Sequence, residues 1–221
     1  MRFLLLGATG ATGGLFMDAA TAAGHEVIAF VRDPAKLAER ERVTVVAGDV
    51  RDADALAEAM RDVDAVVSTL GIGKAKDPAN LITDSTRALV QAAVAGGTKR
   101  VVIMSAFGVG ESLAKASGIL RFLYKGGKAN FADKAAGEHV LTASALDWTL
   151  VYPVLLTNKP ATAVQAIADG PAPRSGGRGV RSAPCPSGGF GFRPVLEGLV
   201  HPLEVLQRAV DDAARHGYQQ P

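Results

Sequence analysis

The sequence predicts a doubly wound α/β fold, a parallel sheet covered by helices on both faces, and three observations predict it. Short continuous apolar runs recur through residues 1–157, and each is followed by a stretch of helix formers long enough for a crossover. The first run breaks into Gly7, Gly10 and Gly13, a strand-to-helix turn that needs residues without side chains. Parallel strands cannot be joined by a hairpin, so strand and helix must alternate along the chain as they do here.

The elements follow in order. Residues 2–6 are apolar and bounded by Gly7, which fits a strand buried on both faces better than a helix too short to stand alone. Residues 11–23 are rich in small helix formers and stop at Gly24, a C-cap signal, and residues 26–31 resume the strand pattern. The alternation continues with a strand at 43–47, a helix at 53–60, a strand at 65–69, a helix at 79–95 and a strand at 100–104. A helix at about 133–144 and a strand at 148–152 complete it. Residues 170–194 contain seven glycines, five prolines and four arginines and no acidic residue, without an apolar period, and read as loop or disorder. A helix returns at 202–216, with Leu203, Leu206, Val210, Ala213 and Ala214 on one face. We divide the chain into residues 1–157 and a C-terminal substrate or lid region, 158–221.

Composition narrows the function. The 221 residues are 48% hydrophobic and 21% charged, the balance of a globular protein able to bury a full core. No apolar run reaches the roughly 18–20 residues of a membrane span, and a cytoplasmic location is expected. A net charge of +2 points to no nucleic-acid partner. The single cysteine, Cys185, excludes an internal disulfide, and the four histidines do not cluster, so no metal site is expected.

Gly7-Ala-Thr-Gly-Ala-Thr-Gly13 lies after a predicted strand and opens a predicted helix, the context of a dinucleotide-binding turn. The first glycine permits the sharp turn, the second lets backbone N–H groups reach a pyrophosphate, and the third lets helix pack on strand. Gly7, Thr9, Gly10, Ala11, Thr12 and Gly13 are therefore candidate cofactor contacts, with the phosphates at the positive end of the helix. Arg32 stands nineteen residues after Gly13, where a site for NAD usually offers an acidic group to the ribose 2′-OH. An arginine there binds a 2′-phosphate, so NADP is preferred and NAD is less expected; alternatively Arg32 is solvated and Asp33 takes the ribose. Lys36 can assist Arg32. Asp49 and Val50 lie where an adenine pocket forms, or else Asp49 caps the next helix. Leu70 and Gly71, after the fourth strand, are placed to pass the cofactor ribose, or form a plain turn.

The segments GATGATGG, VRDPAKL, GDV, STLG, RVVIMSAFGVG and LDWTLVYPVLLTNKP resemble the atypical short-chain dehydrogenase/reductase superfamily, in the NAD(P)H-binding branch of NmrA-type redox sensors and flavin and biliverdin-IXβ reductases. The resemblance covers residues 1–160 and implies an NAD(P)-binding Rossmann fold. It also implies that Ser105 stands beside the nicotinamide and that Pro153, Val154 and Leu155 lie against the ring. The superfamily's proton donor is a tyrosine four residues before a lysine whose ammonium lowers the phenol pKa. Two registers are open. Tyr124 and Lys128 have the spacing but enclose two glycines, which weaken a helix. Lys134 suits the family's order better, with Asn130 where the tyrosine would be. Lys134 is then a ribose contact or an ordinary surface lysine, and Ser105 is the nearest hydroxyl.

Flavins and extended tetrapyrroles can take a hydride from NADPH and a proton from solvent, so a missing tyrosine still allows reduction. Phe107, Leu155 and Phe131 are candidates to stack on a flat acceptor, though each also suits a core. One expectation is thus an NADPH-dependent reductase of a flavin, quinone or similar conjugated small molecule, with Ser105 and solvent supplying the proton. The alternative is an NmrA-type sensor that binds the dinucleotide without turnover. A nucleotide-sugar epimerase ranks last, for want of a sound Tyr–Lys pair. Monomer and homodimer are both compatible. After residue 169 the chain departs from the family's pattern, which implies either a flexible lid or an altered ending.

Overall fold

A computed structural model describes residues 1–71, 80–98, 100–110, 128–153, 166–168 and 178–182. Strands β1 (Arg2–Leu6), β2 (Glu26–Val31), β3 (Val43–Ala47), β4 (Ala65–Ser68), β5 (Arg100–Met104) and β6 (Asp147–Tyr152) alternate with helices α1 (Ala11–Ala22), α2 (Ala53–Ala59), α3 (Leu81–Gly96) and α4 (Lys128–Thr142). The strands lie in the order β3-β2-β1-β4-β5-β6, all parallel. This is the doubly wound Rossmann arrangement that the sequence predicts. The order in which successive strands are added reverses between β1 and β4, and such a switch point leaves a crevice beyond the carboxyl ends of the strands.

Each inner strand is apolar on both sides because the sheet has a core on each face. Leu4, Leu6, Phe30, Val66, Ile103 and Leu150 pack under Leu56 and Met60 of the α2 segment, Leu89 of α3 and Leu141 of α4. Phe3, Leu5, Ala29, Val67 and Val102 point the other way, to Phe16 and Met17 of α1. Gly24, at φ +81°, follows α1 as its helix stop.

Three local expectations change. Helix α4 begins at Lys128, earlier than about residue 133, because Lys128-Ala-Asn-Phe-Ala is helix-compatible once the Gly126-Gly127 pair is past. Asp52, not Asp49, caps α2: its Oδ1 accepts from the backbone N–H of Asp54 and of Ala55, both at 3.1 Å. Within 170–194, read as loop, Arg178–Ser182 forms strand β8, antiparallel to β6 and parallel to β7 (Ala166–Ala168). Backbone ladders require no apolar period, so the composition gave no sign of it. Tyr124, Val154, Leu155, Cys185 and the expected helix at 202–216 lie outside the described residues.

Candidate active site

The glycine turn sits at the carboxyl end of β1, beside β4. Gly7 has φ +87°, and a Cβ there would fall 2.8 Å from Thr69 Oγ1. Thr69 Oγ1 donates to Leu6 O at 3.1 Å and Gly7 O at 3.3 Å, which ties the turn to the end of β4. A Cβ on Gly13 would come within 2.3 Å of Gly7 O, so α1 can approach β1 this closely only through a glycine. Thr9, Gly10 and Ala11 are exposed, Thr12 half-buried. Gly10 is the N-cap, with no side-chain cap and no acidic residue in the first turn. The leading N–H groups of α1 are thus left to an anion, and the turn fits a pyrophosphate.

Beyond β2, Arg32 is exposed, and among the described residues no carboxylate lies within ion-pairing distance of it. Its neighbours are engaged. Asp33 Oδ1 accepts from Ala35 N at 3.2 Å, capping the 3-10 turn Pro34–Lys36, and Asp33 also pairs with Lys36 at 3.3 Å. Asp49 is held by Arg51, whose Nε and backbone N–H both reach Oδ1, at 3.1 and 2.9 Å, while a terminal nitrogen reaches Oδ2 at 3.0 Å. Those bonds keep the Asp49 carboxyl below the usual carboxylate range, with charge from Arg51 and Arg32 adding to them. Val50 is buried in the core beneath.

Across the switch point, Ser105 follows β5, and its backbone N–H donates to Val151 O at 2.8 Å. The Ser105 hydroxyl donates to Glu138 Oε1 on α4, and Tyr152 OH donates to Glu138 Oε2 at 3.1 Å. Ser105, Glu138 and Tyr152 are all buried. Lys134, one turn before Glu138, is half-buried rather than an ordinary surface lysine. Burial pushes its ammonium pKa down, and the charges of Glu138 and Asp133 pull it up. Ser105, Lys134, Glu138, Ser68 and Leu70 line one recess, and Gly71, the residue after Leu70, is exposed. Pro153 is buried, and its carbonyl accepts from Phe107 N at 3.1 Å.

Three of these residues escaped the sequence reading. Glu138 and Tyr152 form the floor under Ser105, and Asp133 anchors α4 to α3. The available signal was an acidic residue one turn after Lys134 among apolar neighbours, since a carboxylate is buried only with partners. Phe107, a candidate for stacking, belongs instead to the buried core; Phe131 is half-buried. Among the described residues no group of three or more metal-ligating side chains is assembled.

Comparison with known proteins gives the family and the fold. Residues 7–182 match the NAD(P)H-binding family. Isoflavone reductase homolog P3 from Arabidopsis thaliana is 33% identical over 118 residues, covering 49% of this chain and 36% of that protein. A 3-diazoavenalumate denitrifying reductase from a Streptomyces species is 37% identical over 114 residues, covering 48% and 38%. The matched segments thus span little more than a third of either relative. Among solved structures, the anaerobillin reductase ChuY from Escherichia coli O157:H7 superposes with a TM-score of 0.68 at 22% identity, over 98% of this chain and 91% of that one. A short-chain dehydrogenase/reductase from Veillonella parvula in complex with NADP gives 0.64 at 17%, over 97% and 87%. At these identities the structural likeness establishes the fold. With a glycine turn shaped for a pyrophosphate and a family match that spans most of its length, the chain belongs to the NAD(P)H-binding family.

Proposed function

We propose that the protein is an NADPH-dependent reductase of a conjugated small-molecule acceptor. The observation that carries this reading is the convergence of a hydroxyl and an ammonium, Ser105 and Lys134, in one recess across the switch point from the glycine turn. In this reading Gly7, Thr9, Gly10, Ala11, Thr12 and Gly13 hold the pyrophosphate through backbone N–H groups. Arg32 takes the 2′-phosphate, and Asp49 borders the adenine. Leu70, Gly71 and Pro153, with Val154 and Leu155 after it, pass the ribose and nicotinamide. Bound NADPH supplies the hydride. Lys134 contacts the cofactor ribose and, with Ser105, faces the acceptor, and its ammonium, the proton loosened by burial, is a nearby acid. Tyr124 remains the donor in the other register. Similarity to reductases of small molecules supports the substrate class, and a cytoplasmic location belongs to the same proposal.

A second reading rests on Asn130. It stands one helical turn before Lys134, its Oδ1 is buried with no hydrogen-bond partner among the described residues, and it cannot act as a phenolic acid. A sensor that binds the dinucleotide without turnover fits that substitution.

One experiment separates them. NADPH and NADH are titrated by fluorescence on the wild type and on Arg32→Ala, and FMN or a quinone is then added. We expect NADPH to be preferred, and Arg32→Ala to weaken NADPH roughly 10- to 100-fold while leaving NADH almost unchanged, the cost of losing charge-assisted bonds to a phosphate. Oxidation on adding acceptor supports the reductase; tight binding without oxidation supports the sensor. Absence of binding overturns both.

A further inference from the structure

The edge of the sheet opposite the glycine turn carries charge of its own. Arg2 and Glu26 are register partners at the amino ends of β1 and β2, and the carbonyl of Arg42, the residue before β3, accepts from Val27 N at 2.9 Å. The three residues therefore stand at neighbouring strand ends. Strand side chains alternate, so Arg2 shares a face with Leu4 and Leu6, Glu26 with Ile28 and Phe30, and Thr44 with Val46, the face that α2 covers. Helix α2 has only seven residues, about 10 Å of length, and Thr44 is exposed. A cavity of about 260 Å³ lies open at this corner, lined by Arg2, Glu26, Ile28, Arg42 and Thr44.

The two guanidinium groups are loosely held. Arg2 Nε lies 3.8 Å from Glu26 Oε2, and Arg42 Nε lies 3.9 Å from Glu41 Oε1, on a side chain 90% exposed. One terminal nitrogen of Arg42 reaches Gly24 O at 3.5 Å, and among the described residues those of Arg2 make no hydrogen bond. Arg42 also has φ +59°, a left-handed backbone that costs a residue with a Cβ and that glycine adopts freely. An arginine thus stands where glycine would fold more easily.

We propose that this corner is a second anion site, separate from the dinucleotide turn, which takes the phosphate group of a small molecule between Arg2 and Arg42. Each guanidinium offers a fork of parallel N–H donors. One carboxylate satisfies a single fork, whereas the oxygens of a phosphate meet both. Gly7 lies five residues beyond Arg2 on β1, about 16 Å at the rise of a strand, so this phosphate is not one held at the turn. Glu26 sets the strength, because its carboxylate competes for Arg2 and repels an anion. Such binding is independent of hydride transfer.

The test is a titration of inorganic pyrophosphate into the full-length protein, followed by amide NMR, which reads the two ends of the sheet apart. The amides of Val27, Arg42 and Thr44 are expected to shift together with one dissociation constant, whatever the response at Gly10 and Gly13. Acetate at equal ionic strength leaves them unmoved. Arg42→Gly relieves the left-handed backbone while removing the guanidinium, and weakens the response at Thr44 about tenfold; Arg2→Ala does the same. Glu26→Gln tightens it about threefold, whereas Glu58→Gln, an equal change of charge on α2, leaves it as it was. Thermal melts report whether each variant is folded, and the wild-type titration needs no variant at all. Shifts confined to the glycine turn, no shifts at either end, an equal response to acetate, or a response at Thr44 that survives Arg42→Gly overturns the proposal.

Discussion

At the scale of single residues, Gly13 and Lys134 carry the sharpest expectations. A methyl group on Gly13 would sit 2.3 Å from Gly7 O and 2.8 Å from Ala8 Cα, backbone atoms that cannot swing aside. Gly13→Ala should therefore push α1 off β1, costing about 1–3 kcal/mol in urea unfolding, and should weaken NADPH binding as the leading N–H groups shift. Unchanged stability and affinity would show that the turn tolerates a side chain. Lys134 gives a pH dependence. Its pKa is lowered chiefly by burial, so the ammonium that would hold the cofactor is present at low and neutral pH and is lost as pH rises through a value below that of a free lysine. NADPH affinity should fall across that alkaline window, and Lys134→Arg, charged throughout, should abolish the fall. An affinity that stays flat until a free lysine would titrate would exclude Lys134 from the cofactor site. The glycine turn and the place of Arg32 just after β2 were legible because spacing from one strand end is local information. Glu138 and Tyr152 were not, because their meaning lies in a meeting across 33 and 14 residues of Ser105 with α4 and of α4 with β6, which no local pattern records.

Among elements, the join between α3 and α4 decides where Lys134 and Glu138 stand. Asp133, 7% exposed, reaches from α4 to the start of α3: its carboxylate accepts from Ile82 N and Thr83 N, each at 2.9 Å, and from Thr83 Oγ1 at 2.6 Å. It thereby caps α3 from another helix, in place of the N-cap residue Asn80, whose side chain makes no cap bond and whose φ is +58°. Close packing at Gly137 completes the join, where a Cβ would meet Ile82 Cγ2 at 3.0 Å. Asp133→Ala strips two buried N–H groups of their partner and should cost about 2–4 kcal/mol in chemical denaturation. Since Lys134 is the next residue, affinity for NADPH should fall with it, even though Asp133 meets no ligand. Loss below about 0.5 kcal/mol would mean that water replaces the carboxylate. The helices themselves were read from composition to within a few residues at most ends. The start of α4 was not, because a Gly-Gly pair masked it, and β8 was not, because a strand held by its ladder needs no side-chain pattern.

For the whole molecule, alternation predicted a doubly wound parallel sheet, and the structure winds it in the order β3-β2-β1-β4-β5-β6. That order places the glycine turn after β1, Arg32 after β2 and Ser105 after β5 on one edge of the sheet, so a single extended ligand would touch three strands at once. Such a ligand binds only the folded chain, and its binding free energy adds to stability. NADPH at a hundred times its dissociation constant should stabilise the fold by about 2.7 kcal/mol. For a chain of this size that raises the melting temperature by roughly 5–10 °C. The increment should be smaller with NADH at equal concentration, because Arg32 then meets no phosphate, and Arg32→Ala should bring the two increments together. Equal shifts for NADPH and NADH in the wild type would instead place the 2′-phosphate in solvent, and the cofactor preference would then have to come from elsewhere in the chain.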